Sequence, residues 1–411
     1  MPLRIECIAI GTELLTTARM DTNSVWLAQR LADLGLALHR KTAVGDSRED
    51  LRGIFLEALH RSDLILCTGG LGPTFDDFTK EVLAEVLGVP LHENAVVRQE
   101  IEGFFASMNR PMPSTNLKQA LVPEGAEALH NPMGTAPGIF WESPEGHPGR
   151  RIVLLPGVPR EMKHLWEHQV EPRLQALAGR KIHTLRMLVG SVGESVLEER
   201  TTPLRRKHGH LDWTILASLG QVELVARSPE LEALKAAQRD FEAELGLDLV
   251  CVGAASLEEH LLTLLKDRQQ TLALAESMTG GLIASRITAI PGASDVFLGG
   301  AVVYSPFAKT VLSRVDPRII EAQGTVSQAC TQALAVGIRE QLQSTWALAV
   351  TGNAGPGEDP NGTAPVGTCH LAVAGPSGTT CQTWHFPGER AAVQSRTASW
   401  GLDFLRRAIL A

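Results

Sequence analysis

Two stretches of this 411-residue chain place reactive side chains beside glycine-rich turns. The first is Cys67-Thr68-Gly69-Gly70-Leu71-Gly72-Pro73-Thr74-Phe75-Asp76-Asp77. Gly69, Gly70 and Gly72 let a backbone approach a ligand closely and turn its N–H groups toward a phosphate. Asp76 and Asp77 beside that cradle would repel the phosphate unless a cation lay between them. The spacing therefore points to a divalent metal bridging phosphate and protein. The plainer alternative is a glycine turn in which Asp76 or Asp77 caps the next helix. Gly11-Thr12-Glu13, Asp21-Thr22-Asn23 and Asp46 fall at the ends of neighbouring elements, which brings Glu13, Asn23 and Asp46 to the same rim.

The second stretch is Ala275-Glu276-Ser277-Met278-Thr279-Gly280-Gly281. A strand ends, a hydroxyl follows, and a helix begins at a Gly-Gly pair, so backbone N–H groups there could hold an oxyanion. A serine needs a base to act as a nucleophile, and no His-Asp pair adjoins Ser277. Tyr304-Ser305-Pro306-Phe307-Ala308-Lys309 offers a partner; Tyr304 is the only tyrosine in the chain. A Ser–Lys pair works only if the lysine is desolvated enough to lose its proton. The plainer alternative makes Ser277 a helix N-cap and Lys309 a surface charge.

Such residues need elements that carry them to one edge. Ile5–Ile10, Ala37–Val44, Asp63–Cys67 and Arg151–Leu155 read as strands, with helices over Thr22–Leu34, from Ser47 to about His60, and from Asp77 to Leu87. This alternation predicts a parallel sheet with right-handed crossovers, whose ligands sit at the carboxyl ends of the strands. Residues 171–253 read as a small α+β segment, a linker or dimerisation module. Its strands are Leu185–Val189 and Val222–Ala226, and its helix is Glu230–Leu245.

The α/β rhythm then resumes. Strands are expected at Thr271–Ala275, Val296–Tyr304, Trp346–Val350 and Thr368–Ala374, and helices at Leu257–Asp267, Gly280–Ile287, Ser327–Leu342 and Arg390–Ile409. The predicted fold class is α/β: two three-layer domains (1–170 and 254–411) with mainly parallel sheets, joined by a small α+β middle domain. The loop Gly352–Gly367, rich in Gly and Pro, is long enough to be functional.

Composition bounds the function. With 44% hydrophobic and 20% charged residues the chain is globular, and its length predicts two or three domains. A net charge of −8 and no long Lys/Arg run argue against direct nucleic-acid contact. Arg205-Arg206-Lys207 reads as a solvated loop. No apolar stretch reaches bilayer length, and the N-terminus carries no signal-peptide pattern. The six cysteines form no CxxC pair, so no zinc site and a reducing, cytoplasmic setting are expected.

Four motifs carry a family resemblance: Gly11-Thr12-Glu13-Leu14-Leu15, Thr68-Gly69-Gly70-Leu71-Gly72-Pro73-Thr74, residues 131–138 (Asn131 to Gly138) and Leu155-Pro156-Gly157-Val158-Pro159-Arg160-Glu161-Met162. They resemble the N-terminal domain of the CinA family (competence/damage-inducible protein), which is similar to the molybdopterin-binding fold of MoaB and MogA. Leu71 and Asp76 stand where those relatives carry Thr and Arg, which turns the expectation away from molybdopterin. The resemblance implies a metal-dependent ADP-ribose pyrophosphatase yielding AMP and ribose 5-phosphate. Asp46, Asp76 and Asp77 are implied for metal or catalysis, and Gly69 to Thr74 for the pyrophosphate. Mg, Mn or Co is the implied ion, and a monovalent cation is left open. A metal held by carboxylates can neutralise phosphate oxygens and activate water, as diphosphate hydrolysis requires.

Glu276 to Gly281, Tyr304-Ser305 with Ala308-Lys309, Gly324 to Ser327, Thr351 to Pro356 and Pro365 to Thr368 resemble the nicotinamide mononucleotide (NMN) deamidase domain, PncC. This resemblance implies hydrolysis of a carboxamide to the acid and ammonia without a cofactor. Ser277 would be the nucleophile, Lys309 its base and Tyr304 an assistant. Thr279 and the Gly280 and Gly281 amides would position the tetrahedral intermediate. Thr351, Gly352, Gly355 and Arg396 are implied contacts for the nucleotide phosphate. Met278, a thioether, excludes a cysteine mechanism at its position. The implied state is a homodimer acting on ADP-ribose and NMN. The rival is a non-catalytic competence or DNA-repair accessory that works through a recombination or repair protein.

Overall fold

A computed structural model describes residues 3–178, 182–253, 255–357 and 364–411. The chain divides into two compact units, residues 1–182 and 183–411. The expected middle segment 171–253 is therefore shared. Its first helix, Glu171–Gln175, belongs to the first unit and its remainder to the second.

Strands of the first unit are β1 (Ile5–Ile10), β2 (Leu38–Val44), β3 (Leu64–Thr68), β4 (Leu91–Glu93), β5 (Leu121–Pro123), β6 (Glu127–Leu129), β7 (Gly138–Glu142) and β8 (Arg151–Leu155). Its main sheet runs β2-β1-β3-β8-β7-β6. The first four strands are parallel, while β7 and β6 add antiparallel pairs. β1 and β3 are buried along their whole length, as strands covered on both faces must be. Alternate residues feed two cores. Ile8 and Ile10 meet Leu51, Phe55 and Leu83 on one face, while Ile5 and Cys7 meet Leu27, Leu31 and Trp166 on the other. This is a three-layer α/β unit.

The second unit adds β9 (His183–Gly190), β10 (Asp212–Ser218), β11 (Gln221–Ser228) and β12 (Leu249–Val252), then β13 (Leu272–Glu276), β14 (Phe297–Val302), β15 (Trp346–Gly352), β16 (Thr368–Gly375) and β17 (Gly378–His385). The first four form an antiparallel sheet in the order β10-β11-β9-β12. Helices Glu194–Lys207 and Leu231–Leu245 complete a βαββαβ chain order, the ferredoxin-like arrangement. The other sheet runs β14-β13-β15-β16-β17, parallel over its first three strands and antiparallel beyond. Helices Leu257–Asp267, Leu282–Thr288 and Arg390–Leu410 pack on one face, and Gln328–Leu342 packs on the other. Val250 belongs to the larger of these cores, and Arg407 donates to Asp248 at 2.9 Å. The βαββαβ segment and the five-stranded sheet are thereby one compact unit.

Several boundaries differ from the sequence reading for local reasons. The helix expected from Asp77 begins at Thr79, with Phe78 as N-cap and no side-chain cap, so neither aspartate caps it. The helix expected from Gly280 begins at Leu282, because Gly280 and Gly281 hold φ of 64° and 95° and cannot continue a right-handed turn. Ser47 and Ser327 cap their helices, accepting from the N–H groups of Asp50 and Cys330, so the helix read from Ser327 begins one residue later at Gln328. The sequence pattern predicts none of the antiparallel strands β6, β7, β10 and β17.

Candidate active sites

In the first unit the carboxyl ends of β1, β2 and β3 open onto a cleft of about 500 Å³. Glu13, Asp46, Gly69, Gly70, Gly72, Thr74, Asp76 and Asp77 all line it. Asn23 does not. Its side chain is buried and donates to the Gly157 carbonyl at 2.8 Å, so it buttresses a wall of the cleft.

The glycines are there because other atoms occupy the space of a side chain. A Cβ on Gly69 would meet the Ile10 carbonyl oxygen at 2.1 Å, and one on Gly72 would meet the Asp77 carboxylate at 2.4 Å. Gly69 and Gly70 also hold φ of 107° and 66°. The Gly69 N–H is spent on the Leu155 carbonyl. Those of Gly70, Leu71 and Gly72 have no acceptor among the described residues, which leaves three donors for an anion.

The acidic tip folds back on Thr74. Its hydroxyl lies 2.5 Å from a carboxylate oxygen of each of Asp76 and Asp77, which share its one proton, and its N–H donates to Asp77 at 3.0 Å. The Thr74 bond holds the Asp76 carboxyl below its usual range. Asp46 accepts from the Thr12 N–H at 2.7 Å. Among the described residues no three acidic, histidine or cysteine side chains converge as a ready metal set. The donors still fit a hard divalent ion, which is commonly held by one or two carboxylates together with the substrate's own phosphate oxygens.

Three further residues shape this cleft and were not singled out as site residues. Lys118 donates to the carbonyls of Thr74, at 2.8 Å, and Asp77, and so pins the acidic tip. Gln119 donates to the Leu71 carbonyl at 3.1 Å. Glu161 lines the cleft and accepts from Asn131 at 2.7 Å; burial pushes its carboxyl up. The only sequence signal for Glu161 is its place in the Leu155–Met162 motif. Lys118 and Gln119 sit in a short 3-10 segment, Ser114–Ala120, that has no periodic pattern to flag it.

In the second unit Ser277 follows the end of β13, and Lys309 lies in the helix Pro306–Ser313. Lys309 Nζ is 2.9 Å from Ser277 Oγ and donates to the Val303 carbonyl at 2.5 Å. Lys309 is 1% exposed and Ser277 7%, so the lysine is not a surface charge. Burial lowers its pKa to about 8. Ser277 is not a helix cap either, since Gly281 is the N-cap residue. The buried Glu276 carboxylate performs the capping, accepting from the N–H groups of Gly281, Ile283 and Ala284 at 3.1, 3.1 and 2.8 Å.

That capping corrects one expectation. The Gly281 N–H is committed to Glu276 and the Gly280 N–H to the Ser277 carbonyl, so neither can serve a tetrahedral intermediate as arranged. Thr279 is buried, and its hydroxyl has no partner among the described residues. Tyr304 is exposed, and its hydroxyl accepts from Arg390 at 3.0 Å rather than meeting the Ser277–Lys309 pair.

The expected phosphate contacts divide. Gly355 accepts from Arg390 at 2.8 Å. Gly352 is packed tightly, because a Cβ there would meet the Met278 sulfur at 2.6 Å. Thr351 is fully buried with its hydroxyl 2.7 Å from that of Thr331, and Arg396 is tied to the Pro387 carbonyl. The guanidinium beside Tyr304 and Gly355 is thus that of Arg390, six residues earlier on the same helix. Helical spacing alone could not choose between them. Of the Gly/Pro-rich loop Gly352–Gly367, residues 352–357 and 364–367 are described, and residues 358–363 lie outside the described residues.

The chain is a mixed α/β protein with a glycine-loop cleft in one unit and a buried serine–lysine pair in the other. Residues 6–176 match the family described as a probable molybdopterin binding domain, and residues 254–409 match the CinA C-terminal domain. The chain belongs to the CinA family. It is 40% identical to a CinA-like protein of Koribacter versatilis over 98% of this chain and 99% of that one. It is 43% identical to a CinA-like protein of Synechococcus over 91% of this chain and 90% of that one. A solved CinA protein of unknown function from Thermoplasma acidophilum is 31% identical, with a TM-score of 0.38, covering 42% of this chain and 98% of its own. Among the described residues no helix is long and apolar enough to cross a membrane.

Proposed function

We propose that this chain is a bifunctional hydrolase of pyridine-nucleotide breakdown products. Its second unit is an amidohydrolase that converts NMN to the mononucleotide acid and ammonia. Its first unit is a metal-dependent pyrophosphatase that cleaves ADP-ribose to AMP and ribose 5-phosphate. The observation that carries the reading is the 2.9 Å approach of a buried lysine amine to the Ser277 hydroxyl.

The chemistry follows from the pair. Ser277 Oγ adds to the carboxamide carbon while neutral Lys309 takes the hydroxyl proton. With a pKa near 8, roughly a tenth of the amine is neutral at pH 7. The tetrahedral intermediate collapses, Lys309 returns the proton to the departing nitrogen, and ammonia leaves. Water then attacks the ester with Lys309 again as base, releasing the acid and restoring Ser277.

In the first unit a divalent ion would be held by Asp76 and Asp77 with Asp46 nearby, and would supply charge neutralisation and an activated water. The amides of Gly70 to Gly72 would take phosphate oxygens, and Thr74 would keep the two aspartates aimed at the cleft. The test is a paired assay on the purified full-length chain. Ammonia is followed with NMN, and AMP and ribose 5-phosphate with ADP-ribose. Both activities are expected; an inactive chain on either substrate removes that half of the reading.

A further inference from the structure

We infer that Gln394 is a positioning residue that aims the Thr279 backbone N–H at the oxygen of the carboxamide being cleaved. The inference rests on the amidohydrolase reading of Ser277 and Lys309.

Backbone accounting identifies the donors. Around the turn from β13 to the helix Leu282–Thr288, the N–H of Ser277 goes to the Val350 carbonyl and that of Gly280 to the Ser277 carbonyl. The N–H of Leu282 goes to the Thr279 carbonyl, and those of Gly281, Ile283 and Ala284 go to Glu276. Among the described residues this leaves the N–H groups of Met278 and Thr279 unpaired, directly after the nucleophile. Buried amides are seldom left so, and a donor pair there suits an oxygen that becomes negative as Ser277 adds. The Thr279 hydroxyl, buried and also unpartnered, lies in the same turn.

Gln394 sets the direction. From the helix Arg390–Leu410 its Nε2 donates to the Met278 carbonyl at 2.6 Å. In a trans peptide the carbonyl and the following N–H point oppositely. Holding the Met278 oxygen toward this helix therefore turns the Thr279 N–H away from it. The helix Arg390–Leu410 packs on one face of the sheet with Leu257–Asp267 and Leu282–Thr288. The helix bearing Lys309 packs with Gln328–Leu342 on the opposite face. The Thr279 N–H thus faces the side on which Lys309 meets Ser277. When Ser277 Oγ bonds to the carbon, the carbonyl electron pair moves to oxygen and gains this hydrogen bond. When the pair returns, the carbon–nitrogen bond breaks and ammonia leaves with the proton from Lys309.

The experiment compares wild type, Gln394→Met and Gln394→Lys on the carboxamide substrate and on its thioamide analogue. Methionine keeps the shape without a donor, whereas lysine keeps a donor at similar reach. For Gln394→Met, kcat on the carboxamide should fall about 10-fold or more, with KM within about twofold. The carboxamide-to-thioamide kcat ratio should fall toward one, because the aimed N–H favours oxygen over sulfur. Gln394→Lys should recover much of the loss. A Gln394→Met enzyme with unchanged kcat, or with both substrates slowed alike, overturns the inference while leaving Ser277 in place. Gln394 is only partly buried, and melting curves of the variants are expected to match wild type. Absence of ammonia release from wild type would defeat the amidohydrolase reading and this inference with it.

Discussion

Lys309 and Ser277 stand 32 residues apart in sequence, yet their buried side chains are 2.9 Å apart at one end of the five-stranded sheet. The sheet makes the meeting: β13 delivers the serine, and its parallel neighbour β14 leads into the helix that carries the lysine. The desolvation that shields the pair also lowers the amine's pKa to about 8.

Only the neutral amine can accept the serine proton. Carboxamide hydrolysis (kcat/KM) should therefore rise about tenfold per pH unit below 8 and flatten above it. The same depression affects stability. Between pH 8 and the ordinary lysine value of 10.5 the unfolded chain holds the proton and the folded chain does not. This group's contribution therefore grows as pH rises through that window and is absent below it. A pH–rate profile that stays flat from about 6.5 to 9 contradicts the assignment of Lys309 as base.

Glu276 holds the turn that presents Ser277. Its carboxylate is 1% exposed and accepts three backbone N–H groups. Glu276→Gln turns an amide group toward those donors and should cost about 2 kcal/mol of unfolding free energy. Urea denaturation measures it. A loss below about 0.5 kcal/mol would show that the turn holds itself without the charge.

ADP-ribose hydrolysis should vanish when a chelator removes divalent ions and return when Mn or Mg is added back. Asp77→Ala should lower it by about 10²-fold or more while ammonia release from NMN persists. Hydrolysis that survives chelation would remove the metal from the proposal.

Lys118 pins the acidic tip through the carbonyls of Thr74 and Asp77. Lys118→Met leaves the carboxylates in sequence but frees their loop, so ADP-ribose hydrolysis should drop about 10-fold. Amide hydrolysis in the second unit should be untouched, which separates this effect from misfolding. Full activity on ADP-ribose would mean that Thr74 alone sets the tip.

Much of this fold was legible in the residues. β1 and β3 are short continuous apolar runs, and such runs between glycine turns mark covered parallel strands. The cleft-lining glycines and aspartates were legible for the same reason, since strand ends dictate where they go. Other features arise only in the folded chain. Which amides remain free after Ser277 depends on Glu276 reaching eight residues ahead to Ala284, a bond that no spacing rule announces. Arg390 meets Tyr304 and Gly355 while Arg396 is tied to the Pro387 carbonyl, a division that the helix expected from Arg390 does not announce. Asn23 reads as a rim residue but turns inward to Gly157, 134 positions away. Short antiparallel strands such as β6 and β7 depend on long-range pairing more than on local pattern.

The most direct test of the account is ammonia release from NMN by wild type and by Ser277→Ala, with folding checked by circular dichroism. The account predicts an active wild type and a loss of about 10³-fold or more in the variant with its fold intact. A Ser277→Ala protein that still releases ammonia at the wild-type rate would contradict it.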